Sequence, residues 1–562
     1  MVSISPFGWI RLLRNAKRRV ISRKFDYVYL LWPDEYTNRV PKGRPFLQSL
    51  VFPLVDFSIE RFEFQIKKFA KSTKGKGLII ELPLTFHMPL GLINQIHAIL
   101  KPLKENGKEI IVLAKMFTSR TYYFASIATK VLLIQGGYFD VRGISRTILF
   151  MKNGFDKLGI EFEKVAVSGF KSAFDNFARE DITPEARENI EWLLEAEHTL
   201  IADFLKETRN ISDYDTLINN APYTDKDALE HNYIDGIVNA DDLPAYLLKD
   251  EKKKKVKIIR FGRMHKFLPI EKGLSRSEVI AVIPITGAIS DGETTESPVP
   301  LPIPIPLVGE EQTGDLPVLR TIRQIAKDPT VVGTILLVDS PGGSSLASET
   351  MRAGLANLKK KMPVVAYFNS VSASGGYYIS TPADWIVSEP GCITGSIGVL
   401  MAKISAKSFV STNDLHPVTI KKGQRADWSN LYEPFTEEEK KVQQGQVDYS
   451  YQCFLELVAE NRKKTVDEIK DLAGGRVYLG TQALENGLVD QLGSLQQAKE
   501  KVCELAKKKV EKVPLITYHP TKEGQSPLLI KDEKKIMKDL RSRLNILTKT
   551  NVWLRDFSMD YK

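Results

Sequence analysis

A chain of 562 residues, 43% apolar and 26% charged, is long enough for two or more domains and has the composition of a globular protein with a real core. Its net charge of +10 is partly local, in Arg11–Lys24 and Glu251–Lys266, but no nucleic-acid module accompanies either run, so nucleic acid is not an expected partner. Three cysteines (Cys392, Cys453, Cys503) form neither a CxxC pair nor an even framework, and seven scattered histidines include no HExxH, so the sequence calls for no disulfide, metal or cofactor.

In chain order, residues 1–44 read as a basic amphipathic segment. Trp9, Leu12 or Leu13, Ala16 and Val20 share one helical face among lysines and arginines. Such a helix lies on an anionic membrane surface or docks on its own domain. No apolar run reaches the roughly 18 residues of a transmembrane helix, and no signal-peptide pattern is present. The expected location is peripheral at a membrane and otherwise cytoplasmic. Residues 45–249 then alternate apolar runs (KGLIIELPL, EIIVLAK, KVLLI) with helical stretches and end in the long PEARENIEWLLEAEHTLIADFL helix. A basic linker spans 250–275. Residues 276–515 repeat the pattern with GTILLV, PVVAYFN and WIVS, followed by TEEEKKVQQGQVDYSYQCFLELVAENR. Strands alternating with helices predict an α/β fold of parallel βαβ units. Alternating prolines make the insertion Asp291–Asp315 an extended loop, read as a flap over a cleft or a surface excursion. The tail, 516–562, places Ile536, Leu540, Leu544 and Leu547 on one face that seeks the same chain, another subunit or lipid.

The two halves are copies. Tyr122-Tyr123 and Tyr377-Tyr378 are 255 residues apart, and the same offset pairs Ala228 with Ala483 and Asp235 with Asp490. Applied to chemistry-bearing positions, the offset exposes a complementary loss. Ser374 in VSASGGYY corresponds to Ser119, but Gly375 and Gly376 correspond to Arg120 and Thr121. With a shift of a few residues, the turn DSPGG (Asp339 to Gly343) corresponds to the glycine-free Glu81–Thr85, and by the offset itself Ser396 in TGSIG corresponds to Val141. Conversely, Lys171 in VSGFKSAF corresponds to Ala426. One half keeps a lysine and the other a serine with flexible backbone, which points to a single composite site.

A serine hydroxyl needs a base before it attacks a carbonyl, and a Gly-Gly turn can aim N–H groups at the resulting oxyanion. A lysine base must be neutral, so its pKa must fall several units through burial away from carboxylates. Phe170, Ala173 and Phe174 suit this, whereas Asp175 opposes it. His416 in NDLHPV remains the alternative base.

SPGGS (Ser340 to Ser344), SASGGYY (Ser372 to Tyr378), TGSIG (Thr394 to Gly398) and FKSAF (Phe170 to Phe174) resemble, in the same order, the motifs of signal peptide peptidase of the protease IV type in its long two-repeat form. The resemblance covers most of residues 45–510. It implies two tandem Clp-protease/crotonase-like repeats and a Ser/Lys peptidase without metal or cofactor. By that match Ser374 is the nucleophile, Lys171 the general base and Ser396 the residue that orients the lysine. Backbone N–H groups at Gly342, Gly343 and Gly375 bind the oxyanion. The implied partners are apolar remnant signal peptides and further copies of the chain, in a ring- or dome-shaped homo-oligomer. Two departures stand out: bacterial long forms usually begin with a transmembrane anchor, absent here, and Phe170 stands where the family usually has tyrosine. A crotonase-type acyl-CoA enzyme and a silent oligomeric scaffold at a membrane surface are the rival readings.

Overall fold

The computed structural model describes residues 25–40, 57–248, 255–268, 278–294 and 312–520. The apolar face of Trp9 to Val20, most of the proline-rich insertion and the tail face of Ile536 to Leu547 lie outside the described residues. The chain divides into two compact units, Met1–Ser145 with Glu197–Ser275, and Arg146–Ala196 with Arg276–Lys562.

The first unit is built on a sheet in the order Tyr223–Thr224, Lys130–Asp140, Glu109–Thr118, Gly77–Leu82, Tyr27–Leu31, Ile258–Arg260. All neighbours are parallel except Tyr223–Thr224. The predicted runs KGLIIELPL, EIIVLAK and KVLLI are its central strands. Two outer expectations change. Tyr27–Leu31, inside the segment read as amphipathic helix, is an inner strand, and Ile258–Arg260, inside the basic linker, is an edge strand beside it. Alternation explains the first: Tyr27 lies on one face of the sheet, Val28 and Leu30 on the other, and all three are buried.

The second unit repeats the plan with the order Val477–Leu479, Ile393–Gly395, Val364–Ala373, Val331–Ser340, Val279–Thr286, Leu515–Thr517. Trp385–Ser388 also pairs with Val364–Ala373, and Gln491–Leu492 with Trp385–Ser388. Apolar side chains bury both faces of the sheet, as expected where helices cover both sides of parallel strands. The long helix Glu437–Arg462 starts at a capping box of Thr436 and Glu439, with three glutamates in its first turn complementing the helix dipole.

The duplication is repeated bond for bond. The Asp235 carboxylate accepts the Val131 N–H at 2.6 Å and Arg209 at 2.9 Å. Asp490 accepts the Ile386 N–H at 2.7 Å and pairs with Arg462 at 2.5 Å. Tyr122 Oη donates to the Tyr233 carbonyl as Tyr377 Oη does to that of Leu488, each at 2.7 Å. Tyr223 and Tyr478 donate likewise to the carbonyls of Leu217 and Leu472. Tyr122, Tyr377, Asp235 and Asp490, among the residues that revealed the repeat, thus make equivalent bonds in the two copies.

Repeats and compact units do not coincide. Residues 146–196, which the sequence places in the lysine-bearing repeat 45–249, pack with the second unit. Glu161–Ala166 leaves the first sheet altogether and pairs antiparallel with Leu400–Ser405 over all six positions. This two-stranded ribbon carries Lys171 into the unit that holds Ser374.

Candidate active site

Ser374 follows directly on the strand Val364–Ala373 and precedes the helix Gly375–Ser380, with φ 53° and ψ −116°. A non-glycine residue rarely adopts such a conformation, and retaining it costs on the order of 1–3 kcal/mol. The register explains the spacing of the two serines. Ala373 lies opposite Gly395 in the parallel pair, so Ser374 and Ser396 each come one residue later, side by side. The Ser374 N–H donates to the Gly395 carbonyl at 2.9 Å, and Ser396, at φ 50°, is held by its N–H on the Arg476 carbonyl at 2.8 Å.

Lys171 Nζ lies 2.9 Å from Ser374 Oγ, 2.9 Å from Ser396 Oγ and 2.9 Å from the Ser396 carbonyl oxygen. The residue is 6% exposed, and burial alone pushes its ammonium down from the ordinary 10.5 to about 7. Asp175 does not oppose this, because its carboxylate is ion-paired with Lys164, whose Nζ also donates to the Lys171 carbonyl at 3.0 Å. With the amine neutral, the carbonyl of Ser396 can only accept, so one N–H is committed there. The second N–H and the lone pair are left for the hydroxyls of Ser396 and Ser374, each 2.9 Å away. All three side chains belong to one chain. His416 lies in the exposed segment 411–420, whereas Lys171 is buried.

The expected oxyanion donors sort by whether their N–H is already used. Gly342 N–H donates to Ser340 Oγ at 3.1 Å, so this member of the predicted set is occupied. Gly343 and Gly375 N–H have no partner among the described residues, and a Cβ on Gly375 would lie 3.2 Å from the Gly343 nitrogen, so the two donors are neighbours. Gly342 must still be glycine: it has φ +99°, and a Cβ there would meet Gly375 N at 2.5 Å and Ser374 Cβ at 2.9 Å.

Sequence reasoning missed the cradle under the lysine. A Cβ on Gly475, at φ +98°, would sit 2.7 Å from Lys171 Cα and 2.8 Å from its Cδ. Ser168 Oγ donates to the Gly474 carbonyl, fixing the start of the lysine loop to the same turn. The Arg476 guanidinium covers the Phe170 ring at 4.1 Å and pairs with Glu188. The repeat offset carried the signal, since Gly474 and Gly475 correspond to Asn219 and Asn220 in the other copy. In that copy, Ser119 Oγ is spent on the Gly143 carbonyl at 2.7 Å.

A cavity of about 420 Å³ has a mixed lining, with Val399, Met401, Val442 and Val447 on the apolar side and Ser345, Gln446, Tyr449 and Ser450 on the polar. Val399 lies three residues past Ser396, and Ser345 two past Gly343, so the cavity adjoins both serine-bearing and glycine-bearing loops. Among the described residues no group of side chains is suited to hold a metal ion, and no helix is long and apolar enough to cross a membrane.

A serine beside a buried amine and two unpaired backbone donors is an arrangement suited to acyl transfer, and comparison with known proteins gives the family. The model of peptidase family S49 matches residues 102–256 and 356–509, two segments starting 254 residues apart. The chain is 29% identical over 522 residues to "Protease 4" of Haemophilus influenzae, covering 87% of this chain and 82% of that one. It is 33% identical over 430 residues to "Protease 4" of Salmonella typhi, covering 73% and 66%. Among solved structures, a point mutant of ClpP1 from Listeria monocytogenes aligns with 39% of this chain and 93% of its own at 13% identity, with a TM-score of 0.24. The chain is thus a serine-type endopeptidase. It belongs to peptidase family S49.

Proposed function

We propose that the endopeptidase works by a Ser/Lys dyad on short, unfolded, apolar peptides such as remnant signal peptides. Ser374 Oγ attacks the scissile carbonyl carbon while its proton passes to the neutral Lys171 amine. The carbonyl π electrons move to oxygen, and the oxyanion sits between the Gly343 and Gly375 N–H groups. Collapse breaks the C–N bond, and the Lys171 ammonium returns the proton to the departing amine. Water then attacks the acyl-serine, again giving its proton to Lys171, and hydrolysis releases the acid and restores Ser374. Ser396 keeps two of the amine's bonds occupied so that its lone pair faces the hydroxyl. Each oxyanion donor is worth roughly 3–4 kcal/mol in the transition state.

The observation that carries this reading is the 2.9 Å contact between a buried, carboxylate-free Lys171 amine and the Ser374 hydroxyl. Peripheral contact with a membrane and assembly into homo-oligomers complete the proposal, in keeping with the resemblance of the motifs. The decisive experiment assays peptide cleavage by Ser374→Ala and Lys171→Ala, with fluorophosphonate labelling of the parent. Both variants are expected to lose about 10³-fold or more in kcat, and label should attach to Ser374. Near-normal turnover by Lys171→Ala sinks the dyad.

A further inference from the structure

The 255-residue repeat leaves two strand edges without their counterparts. The antiparallel ribbon pairs a segment of the first copy, Glu161–Ala166, with a segment of the second, Leu400–Ser405. Applying the offset to each partner names the reciprocal pair: 416–421 from the second copy and 145–150 from the first. The offset holds locally, because the helices Lys152–Lys157 and Lys407–Thr412 correspond end to end. The positive-φ turns at Gly159 and Asp414 also correspond, as do the bonds from Ile160 N–H to Phe155 O and from Leu415 N–H to Val410 O. Yet neither reciprocal segment is in a strand. Their apolar side chains face solvent: Val418 is 83% exposed, Ile420 94% and Leu149 69%.

We infer that these two segments pair with each other between copies of the chain, 416–421 of one against 145–150 of the next, in the register of the internal ribbon. That register sets Val418 opposite Ile148, where the internal ribbon has Glu163 opposite Lys403. It sets Pro417 opposite Leu149, and the proline tests the idea from sequence. Val167 N–H donates to the Val399 carbonyl at 3.2 Å just past the ribbon, which makes that position a hydrogen-bonded pair. Antiparallel pairs alternate, so Phe162–Ile404, the counterpart of Pro417–Leu149, is a non-hydrogen-bonded pair. A proline is accommodated there without loss of a ladder bond. Exposed apolar edges are otherwise a liability that folds avoid. Because each chain offers one edge of each kind, the contact is head-to-tail and builds a ring or an open chain.

This deepens the self-association proposed above and names its surface. The test uses the full chain with Cys453→Ser and measures mass by sedimentation. It then compares disulfide formation in Thr147→Cys/Thr419→Cys with that in the out-of-register Thr147→Cys/Val418→Cys. Thr147 and Thr419 occupy a non-hydrogen-bonded position, where Cα atoms approach to about 4.5 Å, within disulfide reach. The expected result is a parent above monomer mass, covalent multimers from the in-register pair in clear excess, and a monomer from Val418→Asp/Ile420→Asp. An assembled parent whose in-register pair crosslinks no better than the control overturns this interface and leaves self-association standing. A parent that stays monomeric at every concentration overturns both.

Discussion

At Lys171 the proposed mechanism couples activity to pH through a single buried amine. Its folded-state pKa of about 7 lies below its ordinary 10.5, so the native state releases the proton first. On the proposed mechanism kcat/KM should therefore rise with pH through about 7 and level off above it, falling away as acid protonates the amine. A flat profile between pH 6 and 8 would contradict a lysine base. The linkage sign for stability follows from the same shift. The cost of burying the charged form is fully felt below about 7 and is relieved as pH rises towards 10.5, so stability should climb across that window. Lys171→Met should accordingly be inactive yet melt several degrees higher at neutral pH, as read by calorimetry. Gly475→Ala forces a methyl against the lysine stem at 2.7 Å. It should cut kcat by about tenfold or more and, because alanine is strained at φ +98°, lower the melting temperature as well. Filling the 420 Å³ cavity with Val442→Phe should raise KM for peptides with bulky apolar residues and spare those with small ones.

Among elements, the ribbon of Glu161–Ala166 and Leu400–Ser405 is what positions Lys171, the proposed base. Val165 occupies a hydrogen-bonded position by the alternation set at Val167. Val165→Pro should break that rung, cost about 1–3 kcal/mol, and lower turnover beyond what the loss of fold accounts for, checked by comparing activity with circular dichroism. The central strands were legible because both faces are buried, which writes them as continuous apolar runs such as GTILLV and PVVAYFN. The ribbon was not. EFEKVA is half-buried and carries two glutamates and a lysine, so it has no apolar signature of its own. Tyr27–Leu31 was hidden by the basic stretch before it, and Ile258–Arg260 by the lysines around it. That Ser374, Lys171 and Ser396 come together was legible because the two copies had lost opposite parts. The roles of Gly342 and Gly343 were not separable, since only geometry tells which N–H Ser340 already uses.

For the molecule as a whole, sequence repeat and compact unit are different divisions of the same chain. The offset of 255 residues recurs in strand order, in the Asp235 and Asp490 clamps and, within a residue, in the two matches to peptidase family S49. Yet residues 146–196 of the first copy complete the second unit. The serine-bearing copy has no lysine of its own at the matching position, because Ala426 stands there, in an exposed loop. A one-copy molecule with this wiring would have to borrow its amine from a neighbour, and tandem fusion makes the loan permanent. Amine and alcohol then meet at an effective local concentration that no test tube alters. Per-chain turnover of a small peptide should stay constant as the enzyme is diluted into the nanomolar range, even where larger assemblies come apart.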